Sequence, residues 1–138
     1  MMGSLGIGGN LNNWSKNEIK LAKEKVIQYK KIREIIQHGD QYRLLPSWKG
    51  NLVAVEYVSK DKDEAALFVF LHSQQFGEKV LPIKLKRLIS DALYQHQDGD
   101  KKIILSGKAL KEIGLKVNLK GDFDSKLIIL EKQNKRND

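Results

Sequence analysis

The strongest constraint in this chain is a single stretch, "NWSKNEIKLAKEKVIQYKKIREIIQHG" (residues 13–39). It opens with Ser15 as a helix N-cap and Glu18 three residues later, the spacing of a capping box. Trp14 just before the cap and Ile19 at the fourth helical position are placed to form a hydrophobic staple. Apolar residues then recur at Ile19, Ala22, Val26, Tyr29, Ile32 and Ile36, in steps of three or four. Leu21, Ile27 and Ile35 widen the stripe, and Gly39 reads as the C′ residue that ends it. The spacing predicts a helix of roughly 34 Å at 1.5 Å per residue. Its apolar face is broader than one small partner can cover.

Beyond Gly39 the period changes to two. Expected strands are 41–45, 52–59, 65–72, 82–88, 92–97, 101–106, 115–119 and 126–132, with a short helical turn at 107–114. The turn "PSWKGN" (46–51), the charged tip "KDKDE" (60–64) and Asp98-Gly99 separate them; the last two favour hairpins. One long helix followed by short strands gives an α+β chain: an N-terminal helix packed beside a mainly antiparallel β-sandwich. The tail "QNKRND" (133–138) is polar.

Composition excludes several kinds of chemistry. The chain has 138 residues and no cysteine, so a disulfide scaffold, a thiolate metal site and a Cys nucleophile are out. Lack of cysteine also fits a cytoplasmic setting. No signal peptide is visible, and no apolar run reaches the roughly 20 residues of a membrane span. The net charge of +8 raises the question of nucleic acid. Yet 21 of the 25 basic residues are lysines, spread among 17 acids, and only Arg33, Arg43, Arg87 and Arg136 offer the planar fork suited to phosphate and guanine. We expect a solvated lysine-rich surface, with neither nucleic acid nor membrane as partner. The sequon Asn13-Trp14-Ser15 matters only in a secreted eukaryotic protein.

The candidate sites each have a plainer explanation. Gly6 and Gly8 begin a dinucleotide fingerprint, but Leu11 stands where its third glycine belongs, and no Gly-Lys-Ser/Thr follows. A tight, crowded connection into the helix is the expectation for these glycines. Asp122 and Asp124 in "GDFDS" have the spacing of paired carboxylates, and also of ordinary turn chemistry. Asp61 and Asp63 form a hairpin tip without the remaining oxygen ligands of a calcium loop. His38, His72 and His96 lie on separate elements with no metal-ligand spacing. Trp48, in a turn, is an option for stacking on a sugar, although turn aromatics more often fold back on their own strands. The residues by themselves therefore yield no catalytic, substrate-binding or metal site, and no cofactor.

Taken together, "GIGGNLNNWS", "YKKIREIIQHGDQYRLL", "YVSKDKDEA", "PIKLKRL" and "SGKALKEIGL…GDFDSKLI" resemble the C-terminal end of bacterial α-galactosidases of glycoside hydrolase family 36. The likeness runs from about residue 3 to residue 131, with a departure at "LLPSWKGN" (44–51). It implies that residues 1–38 are the last strand and helix of a (β/α)8 barrel, that 39–132 are the C-terminal antiparallel β-sandwich, and that "GIGGNLNN" lies at the rim of the active site. It implies retaining hydrolysis of terminal α-galactosides, such as raffinose or melibiose, by two aspartates located upstream. None of Asp40, Asp61, Asp63, Asp122 or Asp124 matches either of them. The expected role is thus non-catalytic and structural: a split-gene half, a relic or an excised piece, inactive alone. Its expected partner is the rest of the barrel, or a second copy in a homo-oligomer. The alternatives are a stand-alone carbohydrate-binding module and a weak, sequence-blind nucleic-acid binder.

Overall fold

The computed structural model describes residues 1–74 and 81–133. A 3-10 turn at Leu11–Asn13 leads into helix α1 (Lys16–His38). The capping box is present: Glu18 N–H donates to Ser15 Oγ at 3.3 Å, and Ser15 N–H to Glu18 Oε2 at 2.7 Å. The Ser15 hydroxyl, which donates to Glu18 Oε2 at 2.7 Å, and the Ser15 N–H hold the Glu18 carboxyl below its usual range. Strands β1 (Asp40–Leu45), β2 (Leu52–Val58), β3 (Glu64–Leu71), β4 (Leu93–Asp98) and β5 (Lys101–Ser106) follow. Helix α2 (Gly107–Glu112) and strand β6 (Ser125–Lys132) complete the order.

All six strands form one antiparallel sheet in the order β1-β2-β3-β6-β4-β5. The β4–β5 hairpin closes on a two-residue loop, since Asp98 pairs with Lys101 and Gly99 takes φ 61°. The α+β class and the helix-beside-sheet arrangement hold. The layer opposite the helix is not a second sheet among the described residues. Segments 82–88 and 115–119, read above as strands, join only through an isolated antiparallel bridge between Ile83 and Leu115. They still bury alternate residues, Ile83 and Leu85 from one, Leu115, Val117 and Leu119 from the other. The period-two pattern was reporting an extended, half-buried backbone, and such a backbone need not join a ladder.

The sheet is covered on both sides. Ile32, Ile35 and Ile36 of α1 pack on Val55, Tyr57, Ala66 and Phe68. On the other face, Ala54, Val58, Leu67, Val69, Ile128 and Leu130 meet Ile83, Leu85, Leu88, Leu110, Leu115 and Val117. Tyr94 links this layer across the sheet end: its buried hydroxyl accepts the Ile89 N–H at 3.0 Å and donates to the Lys62 carbonyl at 2.7 Å.

Two glycines set how closely these layers approach. Gly39 caps α1 with φ −75° and ψ 174°, so the left-handed C′ geometry expected from the sequence is not what it supplies. A Cβ there would lie 2.6 Å from the Val58 carbonyl oxygen and would overlap the Ile35 carbonyl oxygen. Absence of a side chain lets the helix end lie directly against β2. Gly114, after α2, has φ +95°, and a Cβ would come within 2.8 Å of the Ile83 carbonyl oxygen. It faces both a conformational and a steric barrier to replacement. Gly114→Ala is expected to cost about 2 kcal/mol or more, against less than about 0.5 kcal/mol for Gly6→Ala, whose surroundings are open; urea unfolding of the two variants checks this.

Candidate functional site: an uncovered helix face

The residues with potential chemistry serve as ties between loops. Asp122 Oδ1 accepts the Gln74 N–H at 2.8 Å, and Gln74 Oε1 in return accepts the Gly121 N–H at 2.8 Å. Asp124 accepts the N–H groups of Lys120 at 2.8 Å and Ser125 at 2.7 Å. Asp61 accepts the Ser59 hydroxyl at 2.5 Å and the Asp63 N–H at 3.0 Å, which holds its carboxyl below the ordinary range. Asp63 pairs with Lys132 at 2.5 Å, Asp98 with Lys126 at 2.5 Å, and Asp40 with Lys60. These pairs are largely exposed and carry little stability. Loop and turn hydrogen bonds account for Asp61, Asp122 and Asp124, and ion pairs for Asp40 and Asp63. His38, His72 and His96 stay on separate elements, and no cluster of three metal-ligating side chains occurs among the described residues.

Other expectations are revised. The glycine-rich opening is crowded only at its end: a Cβ at Gly3, Gly6 or Gly8 would meet nothing within 4 Å, whereas Gly9, with φ +129°, lies against the Trp14 ring. No strand forms there. The segment lies beside α1, with the Gly3 carbonyl accepting the Tyr29 hydroxyl at 2.8 Å and the Met2 carbonyl the Tyr57 hydroxyl at 3.2 Å. Trp48, on a 3-10 turn at Ser47–Lys49, does not fold back on its strands; it is 74% exposed. Glu56 was passed over in the sequence, although it is the only charged residue in the apolar run "LVAVEYV", and it is completely buried.

The surface that stands out belongs to α1. Its fully buried residues, Ile32, Ile35 and Ile36, lie in the last two turns, with Tyr29 packed beside them. Among the first twelve residues none is fully buried, and Ala22 and Val26 are half-buried. Leu21 and Ile27 are 54% and 59% exposed, Ile19 is open on another side of the helix, and Ile7 and Leu11 of the preceding segment are exposed as well. The capped helix thus leaves several large apolar side chains of its first half in water. No described helix is long and apolar enough to cross a membrane.

Comparison with known proteins gives this surface a setting. The family profile described as the glycosyl hydrolase family 36 C-terminal domain matches residues 52–130. The chain is 30% identical over 133 residues to the probable alpha-galactosidase G of Aspergillus terreus, covering 96% of this chain and 18% of that protein. Among solved structures, the GH36 alpha-galactosidase AgaB from Geobacillus stearothermophilus superposes with a TM-score of 0.81 at 27% identity, over 89% of this chain and 17% of that one. A variant of AgaA from the same organism, solved in complex with raffinose, gives a TM-score of 0.80 at 26% identity, over 90% of this chain and 17% of that one. The chain thus spans less than a fifth of the length of these relatives, which are fungal as well as bacterial.

The two halves of α1 should respond differently to truncation. Ile32→Ala or Ile35→Ala is expected to cost about 2–4 kcal/mol, whereas Leu21→Ser or Ile27→Ser should stay within about 0.5 kcal/mol. Chemical unfolding monitored by circular dichroism distinguishes them; equal losses in both halves would show that the first half is packed after all.

Proposed function

Because the chain belongs to the family of the glycosyl hydrolase family 36 C-terminal domain, we propose that it acts as the non-catalytic C-terminal part of an α-galactosidase. The observation that carries this reading is the uncovered first half of α1. In a (β/α)8 barrel, each helix packs on strands inside and helices at its sides. Ile19, Leu21 and Ile27 leave apolar surface open on different sides of the helix, as packing on strands and flanking helices requires, while the buried end at Ile32–Ile36 fastens the same helix to the sheet. The helix is then a rigid joint: one end belongs to the barrel and the other to the sheet that braces it. The intact enzyme hydrolyses terminal α-galactosides by two upstream aspartates, with raffinose and melibiose as substrates, in the cytoplasm. The AgaA complex with raffinose supports the substrate class. This chain contributes no catalytic residue, in keeping with the employment of its own aspartates as turn ties.

A second reading rests on Trp48. An indole this exposed is a platform on which a sugar face can stack. In that reading the sheet is a carbohydrate-binding module, independent of any barrel.

The purified chain alone is expected to leave a chromogenic α-galactoside intact, and to restore hydrolysis when mixed with a separately expressed barrel fragment of a family enzyme. Restored activity should be lost in a Leu21→Asp/Ile27→Asp variant that still folds. Hydrolysis by the chain alone would overturn the proposal. Silence of the mixture with both pieces folded, together with galactoside binding lost in Trp48→Ala, would select the second reading.

A further inference from the structure

The face of β2 turned away from α1 carries Ala54, Glu56 and Val58. Glu56 lies opposite Tyr42 of β1 and Leu67 of β3, with no exposure to solvent. Its Oε2 accepts the Lys86 N–H at 2.7 Å. Its Oε1 is buried with no hydrogen-bond partner. The need for this acceptor comes from the segment above. Residues 82–88 form a strap over the sheet, held by the Ile83–Leu115 bridge and by the Leu85 N–H bonded to the Leu110 carbonyl at 3.0 Å. Burial alternates at Ile83 and Leu85 but resumes only at Leu88, because Arg87 takes φ +61°. At that reset the Lys86 side chain stays in water while its N–H turns to the sheet, where no strand receives it. The Glu56 carboxyl takes the place of the missing ladder partner.

We propose that Glu56 and the Lys86 N–H form a proton-controlled latch: the neutral acid holds the 82–88 strap on the sheet, and ionisation releases it. As a neutral acid, Glu56 leaves Oε1 without a partner at the modest cost of an unpaired neutral group. As a carboxylate it places charge on an oxygen with no donor, in an apolar layer. The groups facing it do little to offset this. β1 presents the Tyr42 phenol, β3 presents Leu67 and β6 Ile128, while Lys86 keeps its ammonium in solvent. Burial therefore outweighs the Lys86 N–H and ammonium, and the carboxyl is pushed up to about 7 from its ordinary 4.5. Between these values the folded chain keeps a proton that the unfolded chain has released. Stability conferred by the latch is full below about 4.5 and is lost as the pH rises through about 7.

Hydrogen exchange on the whole chain tests this. From about pH 5 to about pH 8, protection of the Lys86 amide, corrected for intrinsic exchange, should fall on the order of a hundredfold. Glu56→Gln keeps the acceptor without the charge, and its protection should stay level. The Glu56 carboxyl carbon, followed by NMR in the unaltered chain, should titrate near neutrality together with the Lys86 amide; this second measurement decides even where Glu56→Gln does not fold. A midpoint near the ordinary glutamate value, or the same fall in protection in Glu56→Gln, would sink the proposal.

Discussion

Burial of β3 on both of its faces is the condition on which the rest of the molecule depends. Ala65, Leu67, Val69 and Leu71 point into one apolar layer, and Ala66 and Phe68 into the other. A strand of this kind cannot be stable at the surface of a lone sheet. It needs pairing on both sides, which β2 and β6 supply over seven registered positions each, and it needs a cover above and below. The C-terminal end of α1 is one cover. The strap 82–88, helix α2 and the segment 115–119 are the other. Gly39 and Gly114 stand where each cover closes on its neighbour, and both omit a side chain that would force the layers apart.

Seen from this core, the charges and the apolar excess separate in space. Aspartates occupy loops and strand ends, and lysines these and the exposed surface of α1, where they pair across turns or remain in water. Exposed apolar side chains occur on the first half of α1, at Ile19, Leu21 and Ile27, and also elsewhere, at Trp48, Leu81, Ile113 and Phe123. The group on α1 fits the proposed structural role better than any titratable cluster does. Binding of this half of the helix to a partner would orient the sheet through a continuous helix, so that its position follows from covalent rigidity and not from a loop.

The sequence disclosed the elements with local causes. Ser15 and Glu18 form the capping box they spell out, and strands β2, β3 and β6 sit where β-branched and aromatic residues cluster. It could not disclose partners in space. "PIKLKRL" has the same alternation as a paired strand, but the left-handed residue at Arg87 and the absence of a neighbouring edge make it a strap. Gly39 read as a conformational stop because glycine commonly ends helices; its actual reason is a carbonyl from β2, that of Val58, nineteen residues further along and outside any local window. Trp48 was expected to fold inward, yet the 3-10 turn carries it outward. Glu56 offered the one unread signal, a lone acid inside a fully apolar strand, which is the pattern of a buried group with a dedicated donor.

The strand that comes last in the order occupies an inner position. β6 lies between β3 and β4, and its junction with β4 rests on two registered pairs, Tyr94–Lys132 and Gln95–Glu131, with the Gln133 N–H bonded to the Leu93 carbonyl at 2.8 Å. During synthesis, β1, β2 and β3 form a meander with one open inner edge, and β4 and β5 a hairpin with another. Neither can join until β6 has left the ribosome. The β3 edge waits through the emergence of more than fifty residues and the β4 edge through about half as many, and closure is a long-range event with the slow kinetics of high contact order. The fold carries its greatest hazard of mispairing before it is complete, in the interval when the central place in the sheet is still empty.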